Sequence, residues 1–323
     1  MKTAEFKARM SAFASSGIPF FFLIDFEMQK PLIYTLKEAA NLGFKFEING
    51  FKNFTESEKH TNLTPFSIAP VPKKVYKKAF NKVKEEITHG NTFLLNLTFP
   101  SEIKNELSFE DIFHLAKAQY KLIHKDNFVI YSPECFIKIQ NDCISSFPMK
   151  GTFYGNLSQV KRDMKTDLKE INEHNTIVDL IRNDLSKYAK QIQLTRFRYL
   201  EKIKTSKKDI YQTSSTIQGK LYKDWKKQLP ELLFSLLPAG SISGAPKEKT
   251  IQIIKEVEKE KRGYYTGVFG YFDGENLDSG INIRYLEKKD GVSRYRSGGG
   301  ITSLSDLDTE YNELIEKIYV PVV

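Results

Sequence analysis

Cys135-Phe136-Ile137-Lys138-Ile139-Gln140, then Asn141-Asp142, then Cys143-Ile144-Ser145-Ser146-Phe147, is the stretch that decides the fold class. Residues 135–140 alternate with the two-residue period of a half-buried strand. Asn141-Asp142 is turn chemistry, so 135–140 and 143–147 read as neighbouring strands joined tightly. Further strand-like runs lie at 19–26, 31–36, 92–99, 127–131, 192–200, 210–221, 265–272, 279–287 and 292–299. Helical spacing appears at 73–89, 108–124, 159–189, 226–237, 246–261 and 306–318. Strands follow one another in runs, with helices between the groups. That order predicts an α+β fold rather than a doubly wound parallel sheet.

Composition narrows the class. The 323 residues allow one large domain or two, and 40% hydrophobic with 13% aromatic residues can fill an ordinary core. Two cysteines eight residues apart supply neither a disulfide framework nor a zinc site, and a reducing cytoplasm suits them. The apolar run Pro19-Phe20-Phe21-Phe22-Leu23-Ile24 stops at Asp25, too short for a bilayer, and reads as a buried strand. Residues 1–17 lack the apolar core of a signal peptide, so no membrane partner is expected. The net charge of +9 comes from scattered lysines, not from a stripe interleaved with aromatics, so no nucleic acid is expected. A positive field would also draw a dianionic substrate.

Four constellations can carry chemistry. Ser132-Pro133-Glu134 precedes Pro148-Met149-Lys150-Gly151-Thr152 by a short interval. A lysine in a partly desolvated site can act as a nucleophile, and a nearby glutamate can shuttle its protons. By itself a strand-end lysine is more often a surface residue. Glu170 and Glu173 would share one helix face ahead of the apolar positions Ile177, Val178, Leu180, Ile181 and Leu185. Glu310 and Glu313 repeat the spacing near the end, with Lys317 one turn on. Two such pairs offer oxygen ligands for Mg²⁺, or else two solvated acidic faces with a Glu313–Lys317 pair. The glycine-rich segments 238–247 and 297–301 read as loops whose backbone could approach a ligand. Arg284, ending a strand, could clamp a carboxylate with its planar fork.

Taken in order, six blocks resemble the chorismate-utilising enzymes. They are Ser132 to Glu134, Pro148 to Thr152, Glu173 to Leu185, Pro238 to Lys247, Arg262 to Phe272, and Gly298 to Glu313. The resemblance covers roughly 70–320, with a shortened N-terminal part before it, and implies a single catalytic domain over 1–323. The implied fold is two packed, antiparallel-rich sheets flanked by helices. Within the family, Lys150 stands where anthranilate synthases carry alanine and aminodeoxychorismate synthases carry the lysine thought to attack the ring. Gln212 stands where the anthranilate enzymes have a histidine that helps expel pyruvate, and glutamine cannot act as a base.

The resemblance therefore implies component I of an aminodeoxychorismate synthase. Such an amino-group transferase converts chorismate and ammonia to 4-amino-4-deoxychorismate, for p-aminobenzoate and folate. The alternative is an anthranilate synthase component I or an isochorismate or salicylate synthase. By the same resemblance Lys150 is the nucleophile and Glu134 the general acid/base. Glu173 and Glu313 match the Mg²⁺ ligands, with Glu170 and Glu310 behind them. Gly151, Thr152, Gln212, Tyr265, Arg284, Gly298, Gly299, Gly300 and Lys317 match substrate-binding positions. Nothing resembles a glutaminase triad, so ammonia is expected from solution or from a glutamine amidotransferase subunit.

Overall fold

The hairpin forms where its chemistry places it. Cys135–Gln140 and Cys143–Ser146 pair antiparallel with Gln140 opposite Cys143. Asn141 and Asp142 both take positive φ, 53° and 58°, the backbone of a two-residue turn between twisted strands. The computed structural model describes residues 1–55, 67–104, 106–203 and 210–321, without the side chains of 150, 152, 154, 169, 203 and 210.

Around this hairpin stand two sheets of nine strands each among the described residues, antiparallel throughout. The first runs β11 (Met149–Tyr154), β13 (Ile210–Leu221), β10 (Cys143–Ser146), β9 (Cys135–Gln140), β16 (Leu277–Ile281), β15 (Val268–Phe272), β1 (Phe20–Ile24), β2 (Leu32–Thr35). The long β12 (Ala189–Ile203) also pairs with β13. The second runs β14 (Gly244–Ala245), β6 (Leu94–Lys104), β18 (Val292–Ile301), β17 (Tyr285–Lys289), β8 (Phe128–Ser132), β7 (Tyr120–His124), β3 (Phe44–Ile48), β4 (Phe51–Lys52). Here β5 (Ser67–Ala69) pairs with β6. The helices are α1 (Thr3–Ser15), α2 (Leu36–Asn41), α3 (Lys73–Thr88), α4 (Phe109–Leu115), α5 (Leu157–Thr166), α6 (Leu168–Ser186), α7 (Trp225–Leu236), α8 (Gly240–Ser243), α9 (Lys247–Glu258) and α10 (Leu307–Glu316).

The core follows strand alternation. In β1, Phe20, Phe22 and Ile24 point into a cluster shared with α1, α3, α7 and α9. Phe21 and Leu23 point the other way, against Phe44, Phe46, Leu122 and Phe269 between the sheets. Both faces of β1 are covered, which is why its run is apolar throughout. Each fully buried phenylalanine here contributes about 1.5–3 kcal/mol. A third cluster packs α4 on the outer face of β8, through Phe109, Ile112, Phe113, Val129 and Tyr131.

Several sequence expectations change. The helix expected over 108–124 is α4 followed by β7, because Tyr120 and Leu122 alternate into the inter-sheet core while β7 pairs with β3 and β8. The helix expected over 159–189 is two, α5 and α6, broken at Asp167, whose side chain caps α6 by accepting from Glu170 N. The strand expected over 279–287 breaks between β16 and β17, where Arg284 has φ 54°. The strand expected over 292–299 forms and runs on as β18 to Ile301, so residues 297–301, read also as a loop, lie inside it. In the 238–247 segment, a turn of helix (α8) and the short β14 stand where only a loop was expected. Among the described residues no helix is long and apolar enough to cross a membrane.

Candidate active site

The cleft is built around strand β18. Gly298, Gly299 and Gly300 pair with Thr98, Leu97 and Asn96 of β6. A Cβ at Gly298 would lie 2.0 Å from the Leu97 carbonyl oxygen, so the bare backbone is a packing requirement there. At Gly300 the hypothetical Cβ would lie 2.2 Å from Glu173 Oε1. At Gly299 it would meet Glu310 Oε2 at 3.2 Å and Glu313 Oε1 at 3.4 Å. The glycine strand is thus the seat onto which α6 and α10 lower their carboxylates.

Each helix is pinned where it matters. On α6, His174 Nε2 and Ser215 Oγ of β13 are 2.7 Å apart, and the Ser215 amide donates to the Pro148 carbonyl at 3.1 Å. One residue thereby ties the carboxylate helix to the segment that leads into β11. On α10, the Leu314 carbonyl accepts from Ser297 Oγ at 2.7 Å. Lys317, just beyond it, donates to the Gly298 carbonyl at 3.0 Å and pairs with Glu313 at 2.6 Å. The Glu313–Lys317 pair therefore exists, partly exposed, and both residues line the cleft.

Glu134, Gly151, Glu170, Glu173, Gln212, Tyr265, Arg284, Gly298, Gly299, Gly300, Glu313 and Lys317 all line this one cleft. Glu134 is buried between β8 and β9; its amide donates to Ser132 Oγ at 3.1 Å and its carbonyl accepts from Ile281 N at 3.0 Å. Glu310 is buried behind the cleft wall. Gly151, at φ 79°, inserts a bulge, so that Lys150 lies opposite Thr213 and Thr152 opposite Gln212. The side chains of Lys150 and Thr152 lie outside the described residues, and only their backbone is placed. Burial pushes the Tyr265 phenol up to about 12, against the opposing pull of Arg262, Arg296 and Arg284. It remains a hydrogen-bond donor at neutral pH.

Sequence reasoning assigned no role to a buried ion network under this floor. Glu258 Oε1 accepts from Thr98 N (2.9 Å), Thr98 Oγ1 (2.9 Å) and Arg262 Nη2 (2.6 Å). Its Oε2 accepts from Arg262 Nε (2.9 Å) and Arg296 Nη2 (3.1 Å). Arg262 also donates to the carbonyls of Asn96 and Ile242, at 2.6 and 3.0 Å, and so clamps two cleft-lining segments together. The i,i+4 spacing of Glu258 and Arg262 was a readable signal, but only the fold brings Arg296 to them.

The donor set suits a hard cation. Glu173 and Glu313 offer oxygen only, and the missing Cβ of Gly300 leaves the space that Glu173 occupies. Among the described residues no three His, Cys, Asp or Glu side chains close around one metal position. An open pair of carboxylates, completed by water and substrate oxygens, is what Mg²⁺ commonly uses.

The cleft thus lies over a bare glycine strand inside the second sheet, walled by carboxylates and arginines. The chorismate binding enzyme family matches residues 25–322, and the chain belongs to that family. A PabA-like protein of Haemophilus influenzae is 51% identical over 304 residues, 94% of this chain and 92% of its own. Anthranilate synthase component 1 of Acetivibrio thermocellus is 34% identical over 195 residues, 58% of this chain and 38% of its own. Among solved structures, anthranilate synthase component I of Streptococcus pneumoniae superposes with TM-score 0.68 at 25% identity, covering 80% of this chain and 60% of that one. An isochorismate synthase of Bacillus anthracis, at 19% identity, shares the fold with TM-score 0.73 over 98% and 86% of the two chains.

Proposed function

We propose that this chain is the chorismate-aminating component of an aminodeoxychorismate synthase, forming 4-amino-4-deoxychorismate for p-aminobenzoate and folate. One observation carries the reading. The two residues that separate the family's branches, Lys150 and Gln212, lie on adjacent paired strands, and Gln212 lines the cleft together with Met149 and Gly151, the chain neighbours of Lys150. The buried Oε1 of Gln212 accepts no hydrogen bond from the described residues, which suits a donor on substrate or ammonia.

In this reading Arg284 and the N–H groups of the glycine strand orient the substrate carboxylates. The amine of Lys150 adds to the ring as the ring hydroxyl departs, and Glu134 delivers the proton that makes it water. Ammonia then forms the new C–N bond, the bond to Lys150 breaks, and the extra proton of the ammonium returns to Glu134. Glu173 and Glu313 would hold a Mg²⁺ ion, with Glu170 and Glu310 behind them; when bound it neutralises charge on the substrate and assists departure of the hydroxyl. The chain carries no recognised glutaminase residues, so ammonia comes from solution or from a glutamine amidotransferase subunit.

Product analysis tests this. Purified chain, chorismate, Mg²⁺ and ammonium should accumulate an aminated product that keeps its enolpyruvyl group. Pyruvate should appear only after an aminodeoxychorismate lyase is added. Stoichiometric pyruvate with anthranilate fluorescence from the chain alone would move it to the anthranilate branch. Isomerisation without nitrogen uptake would move it to the isochorismate branch.

A further inference from the structure

We infer that Tyr319 is a positioning residue for Arg284, holding its guanidinium at the boundary between the cleft and an outer chamber so that it meets a substrate carboxylate. The inference rests on the reading of Arg284 as a carboxylate clamp. Arg284 is a non-glycine residue held in the left-handed region, φ 54°, at the break between β16 and β17. Such a conformation persists only where the surroundings impose it. The side chain, in turn, is held by the segment after α10. Arg284 Nη1 donates to the Lys317 carbonyl at 2.7 Å, and its Cζ lies 4.5 Å from the centre of the Tyr319 ring.

That segment is itself fastened. Tyr295 Oη donates to the Tyr319 carbonyl at 3.3 Å, and Lys117 N donates to the Pro321 carbonyl at 2.7 Å. Arg284, Glu313, Gln212 and Lys317 border both the cleft and the outer chamber, whereas Tyr319 borders only the chamber. The ring therefore stands on the side of the guanidinium away from the chemistry. An arginine has many rotamers, and one held in place binds an anion more tightly than one that must be ordered on binding. A ring face near the cation does that holding.

The experiment measures chorismate binding by titration calorimetry and steady-state amination for Tyr319→Phe, Tyr319→Trp and Tyr319→Leu. Tyr319→Leu should weaken chorismate binding and raise KM about tenfold, with kcat within about twofold. Tyr319→Phe and Tyr319→Trp keep a ring face and should restore both values; they also serve if the leucine variant fails to fold. In an Arg284→Lys background the leucine substitution should add little. Unchanged binding in a folded Tyr319→Leu chain, failure of the aromatic variants to restore it, or an equal penalty without Arg284 would overturn the inference. A wild-type chain that binds no chorismate would remove the functional reading and the inference together. One that binds it but forms no aminated product would overturn the reading alone, since the binding comparison still decides the role of Tyr319.

Discussion

Replacing Gly300 with alanine isolates the carboxylate seat. Gly300 is not in the left-handed region, so alanine costs the backbone little there. Its Cβ, however, would lie 2.2 Å from Glu173 Oε1, 2.9 Å from Glu173 Cδ and 3.0 Å from Leu94 Cδ1. The nearest atoms belong to side chains that can give, so the fold should survive with an overpacking cost of about 1–3 kcal/mol. Restoring ordinary contact requires the Glu173 carboxylate to retreat by about 1 Å. A misplacement of about 1 Å at a reacting site costs on the order of a hundredfold in rate, or about 2.7 kcal/mol. Amination measured across a magnesium titration should show kcat/KM down by about that factor at limiting metal, with partial recovery at high metal.

The flanking glycines calibrate the result. At Gly299 the new Cβ meets carboxylate tips at 3.2 and 3.4 Å, and alanine should be mild. At Gly298 it meets the Leu97 carbonyl at 2.0 Å and Thr98 Cα at 2.7 Å, backbone that cannot step aside, so alanine should cost folded yield instead. Full turnover with unchanged magnesium dependence in Gly300→Ala would refute the claim that the missing side chain exists to seat Glu173.

Other predictions follow from the same geometry. Lys150→Ala should abolish the covalent mass increase seen by intact-mass spectrometry with chorismate and reduce amination strongly at an unchanged melting temperature; full turnover would end the nucleophile role. Glu173→Gln and Glu313→Gln should each raise the magnesium concentration needed for half-maximal activity, and chelator should inactivate the wild type reversibly. Activity that persists in excess chelator would count against a metal. Glu258→Ala strips the shared partner from Arg262 and Arg296 and should cost about 3–5 kcal/mol in denaturant unfolding. An unshifted midpoint would show that the network holds nothing.

Where strands were legible their patterns are local, although β3, β4 and β5 were not anticipated and β7 reads as part of a helix. The hairpin around Asn141-Asp142 and the doubly covered β1 could be read from alternation and turn chemistry alone. Other elements needed partners that sequence does not show. Helix α1 was not anticipated, since only Phe6, Met10 and Ala14 are buried on it, and α7 supplies its packing surface. Helix α2 was also missed, although the Thr35–Glu38 capping box that starts it is a readable signal. At the site, residue type and order sufficed to group Glu134, the two Glu-x-x-Glu pairs and the glycines, because the resemblance supplied their order. The strand run 292–299 was legible too, but not that it continues through Gly300 to Ile301 where the glycines also read as a loop, since that needs β6 beside it. Nor could spacing find the Glu258–Arg296 contact, which joins residues far apart in the chain.

The pairing of β6 with β18 also bears on how the chain reaches its native state. Leu95 finds Ile301, and Glu102 finds Arg294, across most of the sequence. Contacts of such separation form slowly, because a long loop must close before they stabilise anything. Until β18 arrives, one flank of β6 presents an unpaired row of amides and carbonyls, an open template for another strand. The segment that seats Glu173, Glu310 and Glu313 is therefore also the seal on an aggregation-prone edge, and a chain cut short of residue 292 should be insoluble as well as inactive. Pulse-labelled hydrogen exchange during refolding should show the amides of β6 and β18 gaining protection late and together; early, independent protection of β6 would contradict this order of events.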